Sequence, residues 1–143
     1  MKFEVSAGGL VFKTIHNETH WLIIQHSINK HWGFPKGHIG DKEIGESIEN
    51  AALREVEEEG GVKAKIIKKL PNDIEYFFKL HGVLIKKKLY YFLMEYESGD
   101  PKDHDSEISE AKFVTASDAK KFLSFKSDKD ALEKAIELLN EKF

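Results

Sequence analysis

The order of elements in this sequence predicts an α+β or α/β sandwich, a mixed sheet with helices on both sides. Three observations carry that expectation. The chain opens with two β-rich segments joined by a polar turn. One strongly patterned helix follows, Ser47 to Glu59, with Gly60-Gly61 as its stop signal. Strand patterns then return from Val62 to Thr115 before two closing helices.

Each element has its own signature. Phe3 to Phe12 alternates imperfectly and carries Gly8-Gly9, which predicts a strand with a bulge or a close backbone approach. His16-Asn17-Glu18-Thr19 is a turn, and Trp21 to His26 is a buried strand that completes a hairpin. Ser27 to Trp32 is a polar loop. Gly33-Phe34-Pro35-Lys36-Gly37-His38 is a short extended piece punctuated by Gly and Pro. Residues 39–46 form a charged loop. In the helix Ser47–Glu59 the apolar positions are Ile48, Ala51, Ala52, Leu53 and Val56. Val62 to Leu70 is a strand. Asp73 to Leu80 and Lys88 to Tyr96 are strands flanking a turn at His81-Gly82. Ser98 to Glu110 reads as an acidic mobile loop. Ala111 to Thr115 is a short strand, and Ala116–Phe122 and Asp128–Lys142 are helices, the last with Leu132, Ile136 and Leu139 on one stripe.

The chain of 143 residues, 41% apolar, suits one domain over residues 1–143 with a real core. It shows no linker, repeat or low-complexity tract. A net charge of −3 gives no positive field for nucleic acid or anionic lipid, so neither stable nucleic-acid binding nor membrane association is expected. No cysteine is present, which excludes a disulfide framework, thiolate zinc and a cysteine nucleophile, and fits a cytoplasmic location. No apolar run approaches the ~18 residues of a membrane span. Met1-Lys2-Phe3-Glu4-Val5 carries an acid and no long apolar stretch, so no signal peptide is expected. The length fits a monomer or a dimer.

Glu55, Glu58 and Glu59 stand at i, i+3 and i+4 of the helix. At ~100° per residue they span an arc of about 100°. Ile48, Ala51 and Ala52 fall on the same arc, so its apolar half packs on the domain and its acidic half turns toward the protein body or a cleft at its edge. Glu49 and Glu57 point elsewhere. The negative end of the helix dipole opposes the three charges. Arg54 reaches Glu58 at i+4 and Glu55 by adjacency, but one guanidinium cannot balance three carboxylates. A solvated acidic face is the alternative; a bound hard cation, Mg²⁺ or Mn²⁺, is the reading that inward-turned carboxylates favour. Lys36 is a point charge suited to phosphate, and Gly37 allows close backbone approach.

Together these residues resemble the Nudix hydrolase family. Its box is Gly, five residues, Glu, seven residues, Arg-Glu, an aliphatic residue, any residue, Glu-Glu, any residue, Gly, aliphatic. Gly40, Glu46, Arg54-Glu55-Val56, Glu58-Glu59 and Gly61-Val62 meet that spacing at every position. The resemblance extends to Ser6-Ala7-Gly8-Gly9, Phe34-Pro35-Lys36-Gly37-His38, Tyr91-Phe92-Leu93 and Ala111-Lys112-Phe113. It implies an α/β/α sandwich with the box as loop, helix and loop. It implies that Glu55, Glu58 and Glu59 ligate divalent metal, that Arg54 orients Glu55, and that Glu46 supports Arg54 from behind. It further implies water attack on phosphorus of a nucleoside diphosphate linked to another group. The same resemblance implies a general base, for which the candidates are a box Glu and Glu107, which stands six residues before Phe113. One departure is visible. Gly37 lies nine residues before Glu46, where the box has six; Gly40 meets the spacing and Gly37 the context. Residues 39–45 thus read as carrying a three-residue insertion. Gly37 is the first candidate, Gly40 the second, to offer its backbone carbonyl to the metal.

The Phe-Pro-Lys-Gly-His string, the tyrosines Tyr76 and Tyr91, and the closing pattern from Ala111 to Phe125 resemble the diadenosine polyphosphate hydrolases. That likeness implies a nucleotide substrate, diadenosine tetraphosphate first. Lys36 and His38 would face the phosphate chain, and Tyr76 and Tyr91 would contact adenine or phosphate. The alternatives are oxidised nucleoside triphosphates, ADP-ribose or RNA 5′-ends, and last a non-catalytic nucleotide-binding module.

Overall fold

The protein is described by a computed structural model that covers residues 1–40, 45–71 and 73–142. The expected insertion falls largely on residues 41–44, outside the described residues. Among the described residues eight strands form one mixed sheet: β1 (Lys2–Ile15), β2 (Glu18–His26), β3 (Trp32–Gly33), β4 (Lys36–His38), β5 (Val62–Lys69), β6 (Ile74–Leu80), β7 (Val83–Gly99) and β8 (Ile108–Thr115). The helices are α1 (Ile48–Gly60), α2 (Ala116–Phe122) and α3 (Lys126–Lys142). The path runs β3-β2-β1-β7-β5, with β4 added to β1, β6 to β7 and β8 to β2.

β1 is the spine. It turns at His16 and Asn17, both at positive φ, into the antiparallel β2, and it runs parallel to β7 from Lys2↔Ile85 to Phe12↔Glu95. Alternate residues of β1 therefore serve two cores. Ala7 and Val11 pack with Val56 of α1 and with Met94, while Leu10 and Phe12 pack with Trp21, Leu93 and Leu132 of α3. Gly9 brings α1 close, since a Cβ there would press on Met94 and Val56. This is the expected sandwich, with α1 on one face and α2 and α3 on the other.

Two expectations change. β7 begins at Val83, not Lys88. Three successive lysines obscure its alternation, yet Lys86 and Lys88 are held by Glu75 (3.2 Å) and Asp73 (3.4 Å) from the β6 side. The segment 98–110 is not a free loop. β7 runs through Gly99, Pro101–Asp103 forms a 3₁₀ turn capped by Asp100, and β8 already starts at Ile108. Its acidity reflects capping and turn bonds as well as solvation.

Candidate active site

Helix α1 places its charged residues by its caps and its buried face. Ser47 caps the first turn by accepting from the Asn50 amide (3.1 Å), and Gly61 closes the last at φ 73°, donating to the Glu57 carbonyl. Ala51, Ala52 and Val56 are fully buried against the sheet. Glu55 and Glu59, on the same side, are each only 6% exposed, whereas Glu57 is exposed.

These side chains meet the free edge of β4. Gly9 donates to the Pro35 carbonyl and Ile39 donates to the Val5 carbonyl, so the odd-numbered residues of this segment bond to β1. The even-numbered ones turn their backbone groups toward α1. The Lys36 amide donates to Glu59 Oε1 (3.1 Å), and Arg54 donates to the His38 carbonyl (3.2 Å). The same alternation corrects the role expected of Gly37. Its own backbone is turned toward β1, opposite Ala7, and what it contributes is a missing side chain. A Cβ on Gly37 would overlap Glu55 Oε2.

Arg54 is the hub. It forms a two-pronged bond with Glu46 (2.7 and 2.9 Å), reaches Glu58 (3.1 Å) and lies 3.5 Å from Glu55. Its bond to Glu46 holds that carboxyl below its usual pKa, and the surrounding acids raise the guanidinium's own. Glu46 also accepts from the Gly40 amide (3.2 Å), which ties the start of the box to its centre. Among the described residues Glu59 has no ion pair of this kind. Burial first, then the charges of Glu55 and Asp105, push it up to about 8 against the pull of the Lys36 amide and the Lys36 charge.

The three glutamates, Lys36, Gly37, His38 and Glu107 line one cleft of about 270 Å³. Tyr76 and Tyr91 do not. Tyr76 stands 42% exposed on β6. Tyr91 is corrected to a core residue: it is 3% exposed, donates to Asp128 Oδ1 (2.8 Å) and meets Phe34 edge-on, so no ring face is left for a base. The sequence also missed three residues of the cleft, Ser6, Lys87 and Asp105. Asp105 looked like one more acid of a solvated loop, but its amide donates to the Glu58 carbonyl (2.8 Å) and its carboxylate accepts from the Glu107 amide (3.1 Å). Lys87 lay hidden in a lysine run whose facing only the strand register decides. A larger hollow of about 400 Å³ between β6 and α3 holds none of the expected residues.

Three carboxylates in a narrow cleft, one of them buried with no ion-pair partner among the described residues, are a donor set that fits a hard divalent cation. Among the described residues they do not converge on one point, because Glu58 leans on Arg54 and Glu59 on the Lys36 amide.

The NUDIX domain model matches residues 4–135. The chain belongs to the Nudix family. Among curated Nudix relatives, a Mycobacterium tuberculosis (strain CDC 1551 / Oshkosh) protein named MutT4 is 31% identical, over 96% of this chain and 56% of its own length. The NAD-capped RNA hydrolase NudC of Vibrio vulnificus (strain CMCP6) is 27% identical, over 74% of this chain and 38% of its own length. The chain thus spans about half or less of these curated relatives. Two solved structures share the Nudix fold. A binary complex of the C. elegans Ap4A hydrolase superposes with a TM-score of 0.78 at 24% identity, covering 96% of this chain and 98% of that one. The NUDIX domain of Shewanella oneidensis NrtR, complexed with ADP ribose, gives 0.74 at 22%, covering 97% and 89%. Among the described residues no helix is long and apolar enough to cross a membrane.

Proposed function

We propose that this Nudix domain is a Mg²⁺- or Mn²⁺-dependent pyrophosphohydrolase of dinucleoside polyphosphates, with diadenosine tetraphosphate as the preferred substrate. The observation that carries the reading is the cleft itself. Glu55, Glu58 and Glu59 line it together with Lys36, His38 and Glu107. The substrate choice is supported by the near-complete mutual coverage with the Ap4A hydrolase structure.

In this reading Glu55, Glu58 and Glu59 hold the metal, with the Lys36 carbonyl, on the helix side of β4, in the place expected of Gly37. The bound cation supplies charge neutralisation on the phosphate oxygens. Arg54 and Glu46 set the carboxylates' orientation. Lys36 and His38 bind the phosphate chain. Glu107 takes the proton of the water that attacks phosphorus, and the P–O bond opposite breaks to release a nucleotide. Tyr76 remains as the exposed aromatic for a base; Tyr91 has no such role.

A phosphate-release screen with Mg²⁺ over diadenosine tetraphosphate, an oxidised dGTP, ADP-ribose and capped RNA tests this. The expected order puts diadenosine tetraphosphate first by kcat/KM. The likeness to an ADP-ribose-bound Nudix domain makes ADP-ribose the second reading. Equal or better turnover of ADP-ribose overturns the first.

A further inference from the structure

Ser6 is 1% exposed, and its hydroxyl has no hydrogen-bond partner among the described residues, yet it lines the cleft. A buried hydroxyl left unpaired is costly, and a Ser at such a position points to a partner that arrives from outside the fold.

The strand registers define its surroundings. Ser6 sits between His38 of β4 and Leu89 of β7. Lys36 pairs with Gly8, and Lys87 pairs with Glu4, each one alternate position from Ser6 along β1. All these side chains share one face, so Ser6 lies between two lysines carried by the two flanking strands. Gly37 and Ala7 face the other way, toward Glu55 and α1. The cleft therefore has two ends on opposite faces of the sheet. The glutamates hold one; Ser6 and the lysines hold the other.

We propose that Ser6 is a substrate-binding residue that sets preference for phosphate chain length. Resting on the polyphosphate reading above, its hydroxyl donates to an oxygen of a phosphate remote from the anhydride that is cleaved, flanked by Lys36 and Lys87. A diphosphate substrate ends before it; a longer chain reaches it around the edge of β4.

The test compares wild type with Ser6→Ala. Calorimetric binding of inorganic tripolyphosphate in Mg²⁺ should weaken about tenfold, as for one lost bond to a charged group. KM for diadenosine tetraphosphate should rise by a similar factor with little change in kcat, and KM for ADP-ribose should not move. The melting temperature should hold or rise, because among the described residues the hydroxyl has no hydrogen-bond partner to lose. Unchanged tripolyphosphate affinity, an equal KM rise for ADP-ribose, or a lowered melting temperature overturns the assignment. Tripolyphosphate binding that depends on Ser6, in a protein that cleaves no dinucleoside polyphosphate, sinks the proposed substrate and leaves Ser6 standing.

Discussion

Glu59 concentrates the tension at the residue scale. Its folded pKa of about 8 lies above the ordinary glutamate value of 4.5. Between those pH values the unfolded chain has released the proton and the folded chain keeps it, so without metal stability falls as pH rises from 4.5 to about 8, then levels. Melting scans in chelator should show that fall, and Glu59→Gln should flatten it and melt higher at pH 8 than wild type. A wild-type slope in the Gln variant would place the buried charge elsewhere. Mg²⁺ binds the ionised form, so adding it should raise the wild-type melting temperature more at pH 8 than at pH 6. Glu58 differs, being half-exposed and paired with Arg54. Glu58→Gln should keep the fold and lose activity on the order of 100-fold or more, since even residues behind metal ligands cost 10–100-fold. Wild-type turnover at saturating Mg²⁺ would end the ligand assignment. Loss of the proposed base in Glu107→Gln should cost ~10²–10⁴ in kcat. A wild-type rate there returns the role to the box or to Asp105.

At the scale of elements, the site is a helix docked on a strand edge. Two-residue alternation turns the Lys36 amide and the His38 carbonyl toward α1, and α1 answers each with a side chain, Glu59 and Arg54. The contact is close because Gly37 has no side chain. Gly37→Ala should push the Glu55 carboxylate aside. We expect a loss of about 1–3 kcal/mol in stability, as for other overpacked sites, and a much larger loss of turnover; unfolding and initial-rate measurements separate the two. Much of this was legible. Helical periodicity turned Glu55 and Glu59 inward, and the spacing of Arg54 put it within reach of Glu58. What was not legible depends on pairing between distant strands. Tyr91 and Tyr76 read alike as strand aromatics, but register and α3 packing bury one behind Asp128 and leave the other exposed. Ser6 and Lys87 join the cleft only because β1 runs parallel to β7, a pairing of distant segments that no local pattern announces.

At the scale of the molecule, the long strand β1 divides its alternate residues between two cores and so couples the faces of the sandwich. Layer order and helix positions followed from the sequence because period and stop signals are local. The acidic segment before β8 did not, because its fixed points are backbone bonds to α1 and to the chain after β2. The Asp105 amide holds the Glu58 carbonyl, and the Glu107 carbonyl holds the Ser27 amide (2.9 Å). One residue, Glu58, thus offers its carboxylate to the cleft and its carbonyl to the opposite wall. In deuterated solvent the Asp105 amide should exchange only when the last turn of α1 opens, making a single backbone proton a reporter of how often the two walls part.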